Sequence, residues 1–237
     1  MRIILDTVFN NDDLPVINPA AGLLSDTLLA GYQMMDNKDF SGNNRNFTWS
    51  GSFGTTGAIL ADGTANIITT PVMEQDAMAI ILCARIPSTN DVGSIVNNLD
   101  TRNTPYQGMR LTKSAGTGQT VGQVDIAKSD TGITSASTQI DNGWMLKTYT
   151  WNGSNLKIIQ SSGGATDFAL ASRNKGTTNP FRMNGIPTGI GGGSLTKGFS
   201  GELGFALFYG EYLGVSDAVN YMELVSQIMA TRGVIVP

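Results

Sequence analysis

An all-β sandwich of two packed antiparallel sheets, closed by a single C-terminal amphipathic helix, is the fold this sequence predicts, and three observations predict it. Short runs rich in β-branched and apolar residues recur along most of the chain, separated by Gly, Asn, Asp and Pro clusters. The chain is rich in glycine and poor in charge: 29 of 237 residues are glycine and 14 % are charged, against roughly 7 % and 25 % in average proteins. Asn152-Gly153 falls between two β-rich runs, which is the strongest short-range hairpin signal. With 41 % hydrophobic residues the chain can build a sizeable core, which excludes wholesale disorder.

Taken in order, residues 1–22 are a starting strand and polar arm, interrupted by Asn10-Asn11-Asp12-Asp13, and residues 23–237 form one domain without a break in composition. Leu23, Leu24, Leu28, Leu29 and Tyr32 have near-helical spacing, but Gly31 and the turn after it fit a strand equally well. Phe47-Thr48-Trp49, Ala58-Ile59-Leu60 and Asn66 to Thr70 are short β runs, the last stopped by Pro71. Met78 to Ile86 is a continuous apolar run of strand length ending at Pro87. Gly93 to Leu99 and Gly108 to Leu111 follow, and Val121 to Ala127 alternates as a half-buried strand does. Met145 to Trp151 and Leu156 to Ile159 make the hairpin around Asn152-Gly153, and Asn142-Gly143 marks its start. Ser161 to Lys197 is loop-rich. Its run Gly189 to Gly193 lacks both a preceding strand and the Gly-Lys-Ser/Thr ending of a phosphate loop, so it is assigned to tight turns. After a last strand over Gly204 to Tyr209, Ser216-Asp217 caps a helix at about 216–232. Tyr221, Leu224, Val225, Ile228 and Met229 line its apolar face, Arg232 lies in its last turn and Gly233 stops it.

Absences narrow the chemistry. The chain has no histidine, which excludes His-based triads and His metal sites, and a single cysteine, which excludes internal disulfides and Cys-cluster metals. Cys83 stands inside the apolar run and is assigned to the core. A net charge of -4 gives no basis for binding nucleic acid by charge. No apolar run has the length of a membrane span, and the start is too briefly apolar for a signal peptide, so no membrane insertion and no signal-dependent export are expected.

With the strands placed, three stretches resemble the concanavalin A-like lectin/glucanase superfamily, specifically its laminin-G/pentraxin-like jelly-roll branch. Leu29-Ala30-Gly31-Tyr32 followed by Asp39-Phe40-Ser41-Gly42-Asn43 and Phe47-Thr48-Trp49 is similar to the opening strand, Asp-x-Ser-Gly-Asn turn and second strand of such domains. Gly143-Trp144 to Ser154 is similar to their Trp-led hairpin, with Met145 where histidine is usual and Asn152 where aspartate is usual. Phe199-Ser200-Gly201 to Tyr209 is similar to their closing strand, with Leu213, Ser216 and Asp217 after it. The match covers about residues 23 to 230 and implies a jelly-roll sandwich with Trp144, Tyr149 and Phe208 in the core. Abundant Gly, Asn and Thr, low charge and no secretion signal also resemble bacteriophage or prophage virion proteins. That resemblance implies a virion location after synthesis in the host cytoplasm, with other virion proteins and further copies of the chain as partners.

Candidate sites are loops. Asp100-Thr101-Arg102-Asn103-Thr104-Pro105-Tyr106 combines charged and amide groups with an aromatic ring, as carbohydrate sites do, and Asp100, Arg102, Asn103 and Tyr106 are its candidate ligand-binding residues. Asn43, Asn44 and Arg45 form a second, lesser candidate. No cofactor is expected, with calcium the one possible exception: the family resemblance implies loop calcium in some members, for which Asp36 and Asp39 are the candidates, while Asx turns account for the same residues. Glu74-Gln75-Asp76 is a fragment of a glycosidase signature without its third acid, and no catalytic residue is assigned. The expected function is therefore a non-enzymatic host-surface glycan-binding module of a phage tail. The alternative is a structural virion component, such as a capsid decoration or tail-collar protein, that has no ligand.

Overall fold

The computed structural model describes residues 19–64, 66–86, 93–115, 120–130, 132–140, 143–187, 190 and 197–237. The expected N-terminal strand and most of its arm, Asn142, and the glycines at 191–193 lie outside them.

The described strands are β1 (Leu28–Tyr32), β2 (Ser52–Phe53), β3 (Ala58–Leu60), β4 (Ile68–Thr69), β5 (Met78–Ile86), β6 (Gly93–Asn97) and β7 (Met109–Ala115). They continue as β8 (Thr120–Ala127), β9 (Ile133–Ile140), β10 (Gly143–Trp151), β11 (Asn155–Gln160), β12 (Ala165–Ala169), β13 (Arg182–Met183) and β14 (Gly201–Tyr209), and the chain closes with α1 (Val215–Thr231). One sheet runs β12-β11-β10-β5-β14-β3-β2, with β1 beside the far half of β14; the other runs β4-β13-β6-β7-β8-β9. Pairing throughout is antiparallel, and the two sheets pack face to face as the expected β-sandwich. No helix among the described residues is long and apolar enough to cross a membrane.

Two cores sit on opposite faces of the eight-stranded sheet. Met78, Ile80, Leu82, Ala84 and Ile86 of β5 face the six-stranded sheet, where they meet Val96, Leu111, Val124 and Ile126. Ala79, Ile81 and Cys83 face the other way, into a cluster with Leu146, Phe205, Leu207 and the helix residues Ala218, Met222, Val225 and Met229. A strand covered on both faces has no polar side to show, which is why β5 is apolar without alternation. Burial pushes the Cys83 thiol up to about 12, against a smaller opposing effect of Arg232, so it stays a protonated core residue.

Several sequence expectations shift. The segment Leu23–Met35 contains a strand, β1, and not a helix. Residues 19–22, assigned to the arm, belong to a 3-10 turn (Pro19–Leu23) packed on α1, with Leu23 fully buried there. Phe47-Thr48-Trp49 contributes only one bridge, Thr48 to Thr69. Strands β9 and β12 were not anticipated; both are edge strands of polar sequence, and four of the five β12 residues are exposed.

The helix occupies nearly the expected residues but is capped by Gly214, with no side-chain cap; Ser216 and Asp217 lie inside its first turn. Its buried stripe is Ala218, Met222, Val225, Ile228 and Met229. Tyr221 and Leu224 sit at the margin, where the Tyr221 ring stacks on Tyr209 at 4.9 Å. Gly233 ends the helix in the left-handed region, with φ 75, as expected. Trp144 packs at the edge of the helix-side core, whereas Trp151 is fully buried between the sheets.

Because Met222 is sealed between α1 and the sheet, Met222→Ala removes buried methylenes that the fixed strands cannot replace. It is expected to lower unfolding free energy by about 2–4 kcal/mol, read by urea denaturation.

Candidate functional site

The two sequence-predicted loop clusters have different fates. In the first, β1 has no strand partner along its outer edge, and side chains take over its backbone groups. Asp39 accepts hydrogen bonds on Oδ1 from the Gly31 and Ser41 amides (both 2.9 Å) and on Oδ2 from the Ser41 hydroxyl (2.8 Å) and the Arg45 amide (2.9 Å). Asn43 Nδ2 donates to the carbonyls of Leu28 and Leu29, and Arg45 Nη1 donates to Leu29 at 3.1 Å. Burial alone would raise the Asp39 pKa, but these donors outweigh it and hold the carboxyl below its ordinary value.

Four donors occupy the lone-pair positions of Asp39, so it has none free for calcium as folded. Asp36 instead accepts from the Lys38 amide at 2.8 Å, in an Asx turn. Asn44 is exposed with φ 56, a turn position. No group of three or more acidic, His or Cys side chains gathers among the described residues. This first cluster is a latch on β1.

The second cluster forms a rim. The loop between β6 and β7 folds back on itself through reciprocal backbone bonds of Asp100 and Gln107 (2.7 and 3.0 Å). Asp100 binds Arg102 at both ends, Oδ1 to Nε at 3.0 Å and Oδ2 to Nη2 at 2.5 Å, and Oδ2 also accepts from Asn179 at 3.2 Å. The Arg102 bonds dominate in holding the Asp100 carboxyl below its ordinary value. Opposite, Gln107 Oε1 accepts from the hydroxyls of Thr177 (2.9 Å) and Thr178 (3.2 Å). Asp100, Arg102, Asn103, Pro105, Gln107 and Thr178 line a cleft of about 70 Å³. Asp100, Arg102 and Asn103 thus come together as the sequence predicted. Tyr106 does not line the cleft; it is half-buried, and its carbonyl accepts from Asn174 Nδ2 at 2.5 Å. Nor do Asn43, Asn44 and Arg45 line it.

What fixes this rim was not anticipated. Glu74, whose side chain is wholly buried, accepts on Oε1 from Trp151 Nε1 (3.0 Å) and Arg173 Nη2 (2.7 Å), and on Oε2 from Asn98 Nδ2 (3.0 Å) and the Gly176 amide (2.7 Å). Asn98 Oδ1 in turn accepts from the Met109 amide at 2.8 Å, closing the base of the rim loop. A Cβ on Gly176 would lie 2.4 Å from Asn98 Nδ2 and 2.8 Å from Glu74 Oε2, so only glycine fits there. The partners are scattered from 74 to 176, and no local pattern connects them; Asn179 and Thr178 come from the same loop-rich stretch.

Against known proteins, the match is one of fold. No family model and no curated protein matches the sequence. Among solved structures, the receptor-binding domain of botulinum neurotoxin type G is similar at TM-score 0.63 and 14 % identity, over 84 % of this chain and 52 % of that one. The ligand-binding domain of serotype D, solved with N-acetylneuraminic acid, matches at TM-score 0.60 and 13 % identity, over 84 % and 51 %. The binding domain of neurotoxin DC, solved with rat synaptotagmin II, matches at TM-score 0.59 and 13 % identity, over 84 % and 52 %. This chain spans about half the length of the chains it matches.

Two outcomes follow from these contacts. Glu74→Ala leaves the Arg173 charge buried without its partner and is expected to cost about 3–5 kcal/mol, whereas Glu74→Met with Arg173→Met costs less than either single change predicts, in a double-mutant cycle by chemical denaturation. Asp39, with its lowered folded pKa, contributes stability fully present above the ordinary value near about 4 and lost as pH falls through the folded value. Melting curves between pH 6 and pH 2 are expected to fall less steeply with acid in Asp39→Asn, from a lower start.

Proposed function

We propose that this protein is a non-enzymatic recognition module whose rim cleft binds glycan at a bacterial surface, carried by a phage tail. The observation that carries the reading is the cleft: an Asp100–Arg102 pair held in one geometry, with the exposed Asn103 amide, Thr178 and Gln107 around Pro105. Donors and acceptors lining a small cleft suit the hydroxyls of a sugar, which both donate and accept. A cleft this small grips part of a sugar weakly, and several copies on one particle would supply avidity. The sandwich is shared with neurotoxin receptor-binding domains, one of them solved with N-acetylneuraminic acid, which is compatible with the reading but by itself concerns fold. The phage setting rests on composition and on the sequence resemblance.

Glycosidase chemistry needs two carboxylates facing the sugar. The sequence fragment that suggested it does not supply them: Glu74 is buried with every lone pair engaged, and Asp76 is exposed and paired with Lys175 at 2.5 Å.

Labelled protein is expected to bind a subset of bacterial strains or their purified polysaccharides saturably, with or without chelator. Asn103→Ala is expected to weaken that binding about tenfold or more while leaving the melting temperature nearly unchanged, whereas Arg102→Ala weakens it as much and also lowers the melting temperature, because it takes its main partner from the buried Asp100 carboxylate. Folded protein that binds no strain and no polysaccharide would replace this reading with the ligand-free virion component.

A further inference from the structure

Among the described residues, Arg182 has no ion-pair partner. It opens β13, pairs in register with Asn97 of β6 and Thr69 of β4, and points away from the core into which its neighbour Met183 projects. Its Nε and Nη1 are sealed from solvent and have no hydrogen-bond partner. Nη2 makes no hydrogen bond either and is the nitrogen that reaches solvent. The groups around it are committed elsewhere. Asn97 binds the Leu99 amide (2.7 Å) and Ser94 (3.3 Å), Asp100 is taken by Arg102 and Asn179, and Asp125 by Arg110 at 2.6 Å. Asn179 and Thr178, three and four residues before Arg182, join it to the rim.

A half-buried guanidinium without a counter-charge is costly, and it is the arrangement an anion would complete. We infer that Arg182, flanked by Arg102, forms an anion subsite beside the rim cleft, so that the glycan recognised there is acidic and carries a carboxylate or phosphate. Burial pushes the Arg182 pKa down, and the charge of Arg102, itself paired with Asp100, acts in the same direction, which places the two cations within each other's field. The inference rests on the glycan-binding reading and specifies its ligand.

The test compares three polymers of similar length: neutral dextran, alginate as a polyuronate, and poly(glycerol phosphate). Wild-type protein is expected to bind at least one anionic polymer about tenfold or more tighter than dextran at low salt, with the preference shrinking as salt rises. Alginate or phosphate ranking first identifies the source of the charge. Arg182→Met and Arg182→Gln are expected to abolish the preference while holding or raising the melting temperature, since an unpaired buried charge is removed. Equal binding of neutral and anionic polymers, or a preference that survives both variants, overturns the inference and leaves the glycan reading standing. If none of these three polymers binds, the glycan reading is judged on the strain panel and not on them. The Arg182 Nε–H resonance then decides separately, on titration with sodium glucuronate against methyl glucoside: a shift with glucuronate alone supports the anion subsite, and silence overturns it.

Discussion

The buried carboxylate of Glu74 is the junction on which the rest of the molecule depends. It ties Trp151, at the end of the central β10, to Asn98, just past β6 in the opposite sheet, and ties both to the returning loop through Arg173 and Gly176. Withdrawing two ions from water costs several kcal/mol each, and the cost is offset only where geometry and hydrogen bonding are complete. Here the carboxylate has four donors, and Arg173 also reaches the carbonyls of Gln75 and Asp76. The result is a connection between sheets made at the end where the rim loop begins.

That connection explains why the polar side chains of the rim loop are free to face solvent while Asp39, Asn43 and Arg45 of the other Asp/Asn-rich loop are tied to backbone. The latch turns the polar groups of Asp39, Asn43 and Arg45 inward to β1, and of that loop's polar residues only Asp36 and Lys38 line a cavity, of about 230 Å³ with Gln33, Met35 and Phe40. At the rim, the backbone is already held by Asn98, Gly108 and Asn174, with Gly108 N donating to Asn174 at 3.0 Å. The side chains of Arg102 and Asn103 can therefore face solvent. Rigid support under an exposed polar loop is what a recognition site requires if ordering on binding is not to consume its affinity.

Much of the fold was legible in the chain. Residues 78 to 86 announce a strand buried on both faces, Asn152-Gly153 marks the β10–β11 hairpin, and Gly233 marks the end of the helix. Where the reading failed, the cause was context. β9 and β12 are edge strands whose polar residues carry little β signal, and the helix stripe turned toward Met222 because the sheet, not the helix's own pattern, decides which face is buried. Asp100, Arg102 and Asn103 were grouped from the sequence because they are neighbours in it. Glu74, Arg173, Asn179 and Arg182 were not, because side chains about 100 residues apart meet only in the folded sandwich.

Amide hydrogen exchange in Glu74→Gln tests the central claim most directly, because the substitution keeps the shape of the side chain and removes its charge. If Glu74 holds the rim, the amides of Asp100, Gln107, Gly108 and Gly176 exchange much faster than in the wild type, while those of β7 and β8 keep their protection. Unchanged protection in the rim loop, with the protein otherwise folded, would contradict the account.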